Sequence, residues 1–277
     1  MNAPDSSVAG QSVQRPPEDR KMKGKELAKG KYVYAIIACS ELREFKTRGI
    51  GERGDPVYTI NHRRLAAAVS DSPIVEYERS RRNMMAHTVV LEEVMTEFDL
   101  LPLRFGTVAA SADAIEGQLL ASRYEELSGL LEEMRGQSEL GLKAFWHEGA
   151  AFGEVVRENA RVRKLRDSLQ GRSLEETYYQ RIQLGEEVEK ALTAIRARDE
   201  EAILSRLRPF ANNIKTNKII SDRMVLNAAF LVDRKNGQAM DEAVKQLGDE
   251  FNDRLMFKYV GPVPPYNFVN IVINWKG

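Results

Sequence analysis

Few residues in this chain have the type and spacing that chemistry requires. Histidine occurs three times, as His62, His87 and His147, and cysteine once, as Cys39. No histidine has a second metal-type ligand four residues away, and Cys39 is remote from all three, so no metal site is expected. His87 would lie beside Leu91 and Val94 on one helical face, where an imidazole bonded to a single partner is a simpler reading than a catalytic base. Arg104 stands between Leu103 and Phe105 in a strand-like run. Turned inward there, its guanidinium would need a carboxylate, so a structural ion pair is expected before a ligand contact. Gly49-Ile-Gly-Glu-Arg-Gly54 spells G-x-G-x-x-G, but Asp55-Pro56 and a strand-like run follow it. With no helix to receive a pyrophosphate, it reads as a glycine loop. Neither a phosphate-binding G-x-x-x-x-G-K-[ST] loop, an H-E-x-x-H pair nor a G-x-S-x-G elbow occurs. No pair of carboxylates stands out for acid–base work. The reading assigns no catalytic residue, cofactor site or metal ligand.

The elements around these residues follow from hydrophobic periodicity. Residues 1 to 30 carry Ser, Pro, Gly, Lys and Glu with almost no large apolar side chains, and are expected to be a disordered tail. Tyr32–Ala38, Val57–Ile60 and Leu65–Val69 read as strands. Met84, Thr88, Leu91, Met95 and Phe98 step by three and four, which predicts a helix from about Ser80 to Phe98. Leu101–Val108 reads as a strand entered through Pro102. Ser111, with Asp113 and Glu116, opens a helix that Gly136 closes. Leu140–His147 alternates like a strand, and a charged helical region spans about 150–207. Leu174, Tyr178, Ile182, Leu184, Val188, Leu192 and Ile195 form its apolar stripe, and Gly171-Arg-Ser173 is its expected break. Strands over Phe210–Lys218 and Met224–Val232, a helix over Gln238–Asp253 and a last strand over Leu255–Val260 complete the chain. From Leu140 onward the order is strand, helices, strand, strand, helix, strand. This is the split βαββαβ order of a ferredoxin-like sheet with an enlarged first crossover. The fold class expected is therefore α+β in two domains, 31–137 and 138–277, the second ferredoxin-like with a long helical arm at about 150–207.

The bulk composition excludes several classes. Hydrophobic residues make up 43% of the chain and charged residues 30%, which suits a soluble globular protein. The 41 basic and 41 acidic residues cancel, so nothing in the balance favours nucleic acid or an anionic membrane. No apolar run is long enough to span a membrane, and no signal peptide is seen. A cytoplasmic location is expected.

The last segment is unusual in another way. In Lys258-Tyr-Val-Gly-Pro-Val-Pro-Pro-Tyr-Asn-Phe-Val269, Pro262, Pro264 and Pro265 interrupt aromatic and β-branched strand formers. Proline removes a backbone donor, so this must be an edge strand that leaves its sheet as a rigid extended segment. Its expected role is to lock the last strand, with Tyr266 and Phe268 largely buried.

Three blocks together, Tyr32–Ile37, Leu101-Pro-Leu-Arg-Phe-Gly-Thr-Val108 and Gly261-Pro-Val-Pro-Pro-Tyr-Asn-Phe-Val269, resemble the gas vesicle protein GvpF/GvpL family. The likeness runs from about Lys31 to the end. It implies an accessory protein of gas vesicle formation, with two α+β domains and no catalytic residues. The partners it implies are the small hydrophobic shell protein GvpA and other accessory proteins. Arg104, Phe105, Gly106, Gly261, Pro262, Pro265, Tyr266 and Phe268, from the two longer blocks, become candidates for partner binding or structural roles. Strand addition at Leu255–Val260, or docking of the helical arm over 174–207, are routes by which such a protein could cap apolar shell surfaces. Two alternatives stand beside this reading: a minor structural component retained in the vesicle wall, and a small-molecule enzyme on a ferredoxin-like fold.

Overall fold

The computed structural model describes residues 28–275. Of the disordered tail expected over residues 1–30, residues 1–27 lie outside the described residues, while Lys29 and Gly30 already belong to a strand, because they pair with Pro73 and Ser72. Two antiparallel sheets organise the chain. The first is built from β1 (Lys29–Ala38), β2 (Glu44–Arg48), β3 (Pro56–His62), β4 (Leu65–Pro73), β5 (Leu100–Pro102) and β6 (Val108–Ala109). Their order is β2-β3-β4-β1-β5, with β6 also paired to β1. From Tyr32 onward strand β1 is aromatic and aliphatic because both of its faces are covered. Tyr32, Tyr34 and Ile37 pack towards helix α1 (Arg81–Glu97), while Val33 and Ile36 pack towards α3 (Tyr124–Glu133).

Helix α1 starts where Ser80 accepts the Asn83 amide at 3.3 Å, and it buries His87, Val90, Leu91 and Val94. The buried face is rotated from the expected stripe, leaving Met84 exposed. The expected 111–135 helix is present but broken. Ser111 caps α2 (Ala112–Ala114), which widens into a π-helical stretch at Ile115–Ala121 before α3. Gly136 ends it at φ 69°.

The second sheet contains β7 (Gln137–Trp146), β8 (Asn213–Thr216), β9 (Met224–Asp233) and β10 (Leu255–Val263), in the order β10-β7-β9-β8. Between β7 and β8 lie α4 (Ala150–Glu158), α5 (Ala160–Ser168) and α6 (Tyr178–Leu207). Helix α7 (Gly237–Glu250) joins β9 to β10. One face of the sheet, with Leu142, Trp146, Leu226, Phe230 and Leu255, packs on Val155, Ile195, Ile203 and Leu247 of these helices. A break falls at Gly171, as its φ of 73° requires, and Ser173 accepts the Glu176 amide. A second break, at Asn159, was not expected; its side chain accepts the Arg161 and Val162 amides and starts α5.

Candidate functional site

The run Leu101–Val108 is not one strand. Strand β5 stops at Pro102 and β6 starts at Val108, with a turn between them that Gly106 makes at φ 86°. Thr107 closes the turn through its amide and hydroxyl, both donating to the Arg104 carbonyl. The Gly106 amide donates to the Tyr32 hydroxyl at 2.8 Å, which in turn lies 3.0 Å from His87 Nδ1. A Tyr32 hydroxyl that donates to Nδ1 leaves the proton of the neutral imidazole on Nε2. Phe105 sits edge-on to both rings. Burial lowers the His87 pKa to about 4 and raises that of Tyr32. His87 is thus a neutral, buried partner of one tyrosine, as its helical position implied.

Arg104 departs from expectation. It lies exposed at the turn, not mid-strand, and donates at 2.6 Å to the Asn270 side-chain oxygen rather than to a carboxylate. The bond ties the Leu101–Val108 block to the residue just after the Gly261–Val269 block, more than half the chain away. Around it a cavity of about 290 Å³ is lined by Leu103, Arg104, Lys215, Tyr266, Asn267 and Asn270.

The proline segment brings Asn270 there. Gly261, at φ 138°, sits in a bulge of β10 so close to β7 that a Cβ would meet Leu140 Cδ2 at 2.6 Å. The Gly261–Pro262 bond is cis, and both residues are exposed. Pro264 and Pro265 are buried, and the Pro265 carbonyl accepts the amides of Phe268 and Val269. Asn267 then grips Glu139 of β7: its amide and side-chain NH2 donate to the two carboxylate oxygens at 2.7 and 2.6 Å. Glu139 is buried, and burial raises its pKa against these bonds and the nearby Lys215 charge. Lys215 of β8 donates to the Asn267 carbonyl.

Beyond Asn267 the chain leaves the second sheet. Val269 and Ile271 are buried with Leu101, Leu103, Leu119 and Leu231, and Arg123 donates to the Val272 carbonyl. The tail thereby ties the two sheets together. Phe268 is half-buried against the same cluster, but Tyr266 contradicts the expectation of burial, since it is 41% exposed. Its hydroxyl hydrogen-bonds with Thr88 of α1, and desolvation pushes the hydroxyl pKa up to about 12. Of the eight candidates, Arg104, Phe105, Gly106, Pro265, Tyr266 and Phe268 collect at this junction, while Gly261 and Pro262 stay on the β10 edge. Sequence reasoning missed Glu139, Lys215, Asn267 and Asn270. A carboxylate in the apolar β7 run was the one local signal for them.

A second buried polar cluster fixes where β10 begins. Arg254 bridges Glu154 of α4 and Asp199 of α6 at 2.7 and 2.6 Å, and Asp199 also accepts the Trp146 indole N–H. This fixes the start of β10 against the helices. The strand pairs with β7 on one side only, and on its outer face Met256, opposite Phe145, and Val260, opposite Gly141, are exposed on either side of Lys258. The glycine loop at 49–54 leads into β3, so no helix follows it in the chain, and its Glu52 pairs with Arg82 in the first turn of α1. Among the described residues there is no group of three or more His, Cys, Asp or Glu that could hold a metal, and no helix long and apolar enough to cross a membrane.

A mixed α/β chain with two antiparallel sheets is a fold found in solved structures. GvpF from Anabaena sp. PCC7120 superposes with a TM-score of 0.77 at 26% identity, covering 88% of this chain and 99% of that one. GvpF from Microcystis aeruginosa gives 0.69 at 25% identity, covering 87% and 99%. Gas vesicle protein F of a Streptomyces species is 32% identical over 240 residues, 86% of this chain and 98% of the relative. Gas vesicle protein F of Dolichospermum flosaquae is 29% identical over 244 residues, 87% and 97%. Residues 30–270 match the family described as gas vesicle synthesis protein GvpL/GvpF. The chain belongs to that family, and its role is a gas-vesicle-related one.

Proposed function

We infer that the chain is a non-enzymatic gas vesicle assembly factor, working in the cytoplasm at the growing vesicle, that binds the hydrophobic shell protein GvpA and other accessory proteins. The observation that carries this reading is the open β10 edge. An edge strand offers unpaired backbone groups to an incoming strand, and Met256 and Val260 offer that strand apolar neighbours. A shell subunit whose own strands must stay unpaired until it reaches the wall would be held there reversibly. We read the element order and the strand order β10-β7-β9-β8 as a ferredoxin-like, split βαββαβ arrangement, and assign 31–137 and 138–277 as two domains. In this scheme the tail junction at Arg104, Tyr266 and Phe268 fixes the angle between the domains and so the aim of the edge.

Truncation before the proline segment would remove Val269 and Ile271 from the core, so point variants test the idea better. Met256→Glu combined with Val260→Glu places two charges on the outer face without touching a buried side chain. Co-expressed with tagged shell protein, this variant should be captured at least about tenfold less than the wild type, with its melting temperature unchanged. Equal capture would overturn the assignment of the edge.

A further inference from the structure

Helix α6 carries an apolar face that the rest of the chain covers only in part: Val188 and Leu192 pack against the second core, while its N-terminal half stays open. At 100° per residue, Tyr178, Arg181, Ile182, Gly185, Val188, Glu189 and Leu192 all point within about 60° of one direction. Tyr178 is 60% exposed and Ile182 44%, and Leu174, just before the helix, is 70% exposed. Further along, the same face forms one wall of a groove of about 620 Å³, whose other wall is Trp146, Ala151 and Phe152. Phe152 itself is exposed. Bare aromatics at one end and an open apolar groove at the other make a plug and a socket on one helix.

The sequence of this face is symmetric about Gly185. Three residues before it is Ile182 and three after is Val188; four before is Arg181 and four after is Glu189; seven before is Tyr178 and seven after is Leu192. Each position is matched by one that complements it in size or charge. Arg181 donates to Thr177 but has no carboxylate partner, and Glu189 has no cation partner, among the described residues. A Cβ on Gly185 would meet nothing within 4 Å, so nothing inside this chain requires glycine there. Glycine is unfavourable in a helix interior, but it lets a second helix approach closely.

We propose that α6 pairs antiparallel with α6 of a second copy of this chain, crossing at Gly185 on a two-fold axis. Both copies then use the same patch, as a closed dimer requires. Arg181 of each copy faces Glu189 of the other, while Tyr178 and Ile182 of each enter the groove beside Phe152, Val188 and Leu192. The β10 edge is a separate surface and stays available in the dimer.

The test uses the full chain alone, without shell protein, in sedimentation or light-scattering experiments up to about 100 μM. The wild type should have twice the chain mass. Arg181→Glu and Glu189→Arg each set like charges against each other twice, and should raise the dissociation constant at least about tenfold. Mixing these two variants makes both contacts complementary again, and should restore the dimer. All three samples should keep the wild-type melting profile of the monomer, because the substituted side chains are exposed. A wild type that stays monomeric, or a dimer indifferent to both reversals, would overturn the proposal. In a separate capture assay with tagged shell protein, reversals that abolish capture while leaving the mass of the chain alone unchanged would also overturn it, since the occupant of the face would then be the shell subunit.

Discussion

Single residues in this protein are chosen by backbone geometry more than by chemistry. Gly106 and Gly261 both adopt positive φ, but only Gly261 is also crowded, with Leu140 Cδ2 and the Glu139 carbonyl within 3.0 Å of a built Cβ. Gly106→Ala should therefore cost about 1–2 kcal/mol, the conformational term alone. Gly261→Ala should cost more and shift β10 against β7, as denaturant titrations of both variants would show. His87 supplies a pH dependence whose sign is fixed. Burial lowers its pKa to about 4, so the folded chain resists a proton that the unfolded chain accepts near 6.5. Its contribution is whole above pH 6.5 and is lost as pH falls from 6.5 towards 4, by about 3 kcal/mol in all. The stability advantage of the wild type over His87→Gln should shrink across that window. An advantage that grows on acidification would contradict the buried, neutral imidazole.

At the scale of elements, the tail decides how the two sheets sit. Burying Val269 and Ile271 contributes about 1.5–3 kcal/mol each, whereas the exposed Arg104–Asn270 bond contributes about 0.5–1.5 kcal/mol. The apolar anchors hold the tail, and the polar contacts set its register. Ile271→Ala should thus cost about 2–5 kcal/mol in a chemical melt, and Arg104→Ala no more than about 1.5 kcal/mol. Much of this was legible beforehand. The strand-forming runs of β1, β3, β4, β7 and β9 and the capped helix α1 are local signals, and the prolines marked β10 as an edge. What could not be read was non-local. The turn at Arg104–Thr107 carries apolar neighbours and looks like strand until Gly106 bends it. Arg104 finds Asn270 only after the chain has folded back, and Glu139 is tolerated inside because Asn267 arrives with two donors. The exposure of Tyr266 has the same origin, since the tail brings its hydroxyl to Thr88 of α1 and leaves the side chain partly in solvent.

At the scale of the whole molecule, two sheets tied by the tail leave β10 as an edge strand of the second sheet. The central claim is strand addition at β10. The Arg254 carbonyl accepts the His147 amide, so in the alternation of an antiparallel ladder the amides of Phe257 and Tyr259 point away from β7, into the open edge. Hydrogen exchange on the full chain, with and without bound shell protein, reads those two amides directly. The account predicts that shell binding slows exchange at Phe257 and Tyr259 at least about tenfold, while amides already paired with β7 change little. Shell protein that binds and leaves both amides exchanging at their free rates would contradict it.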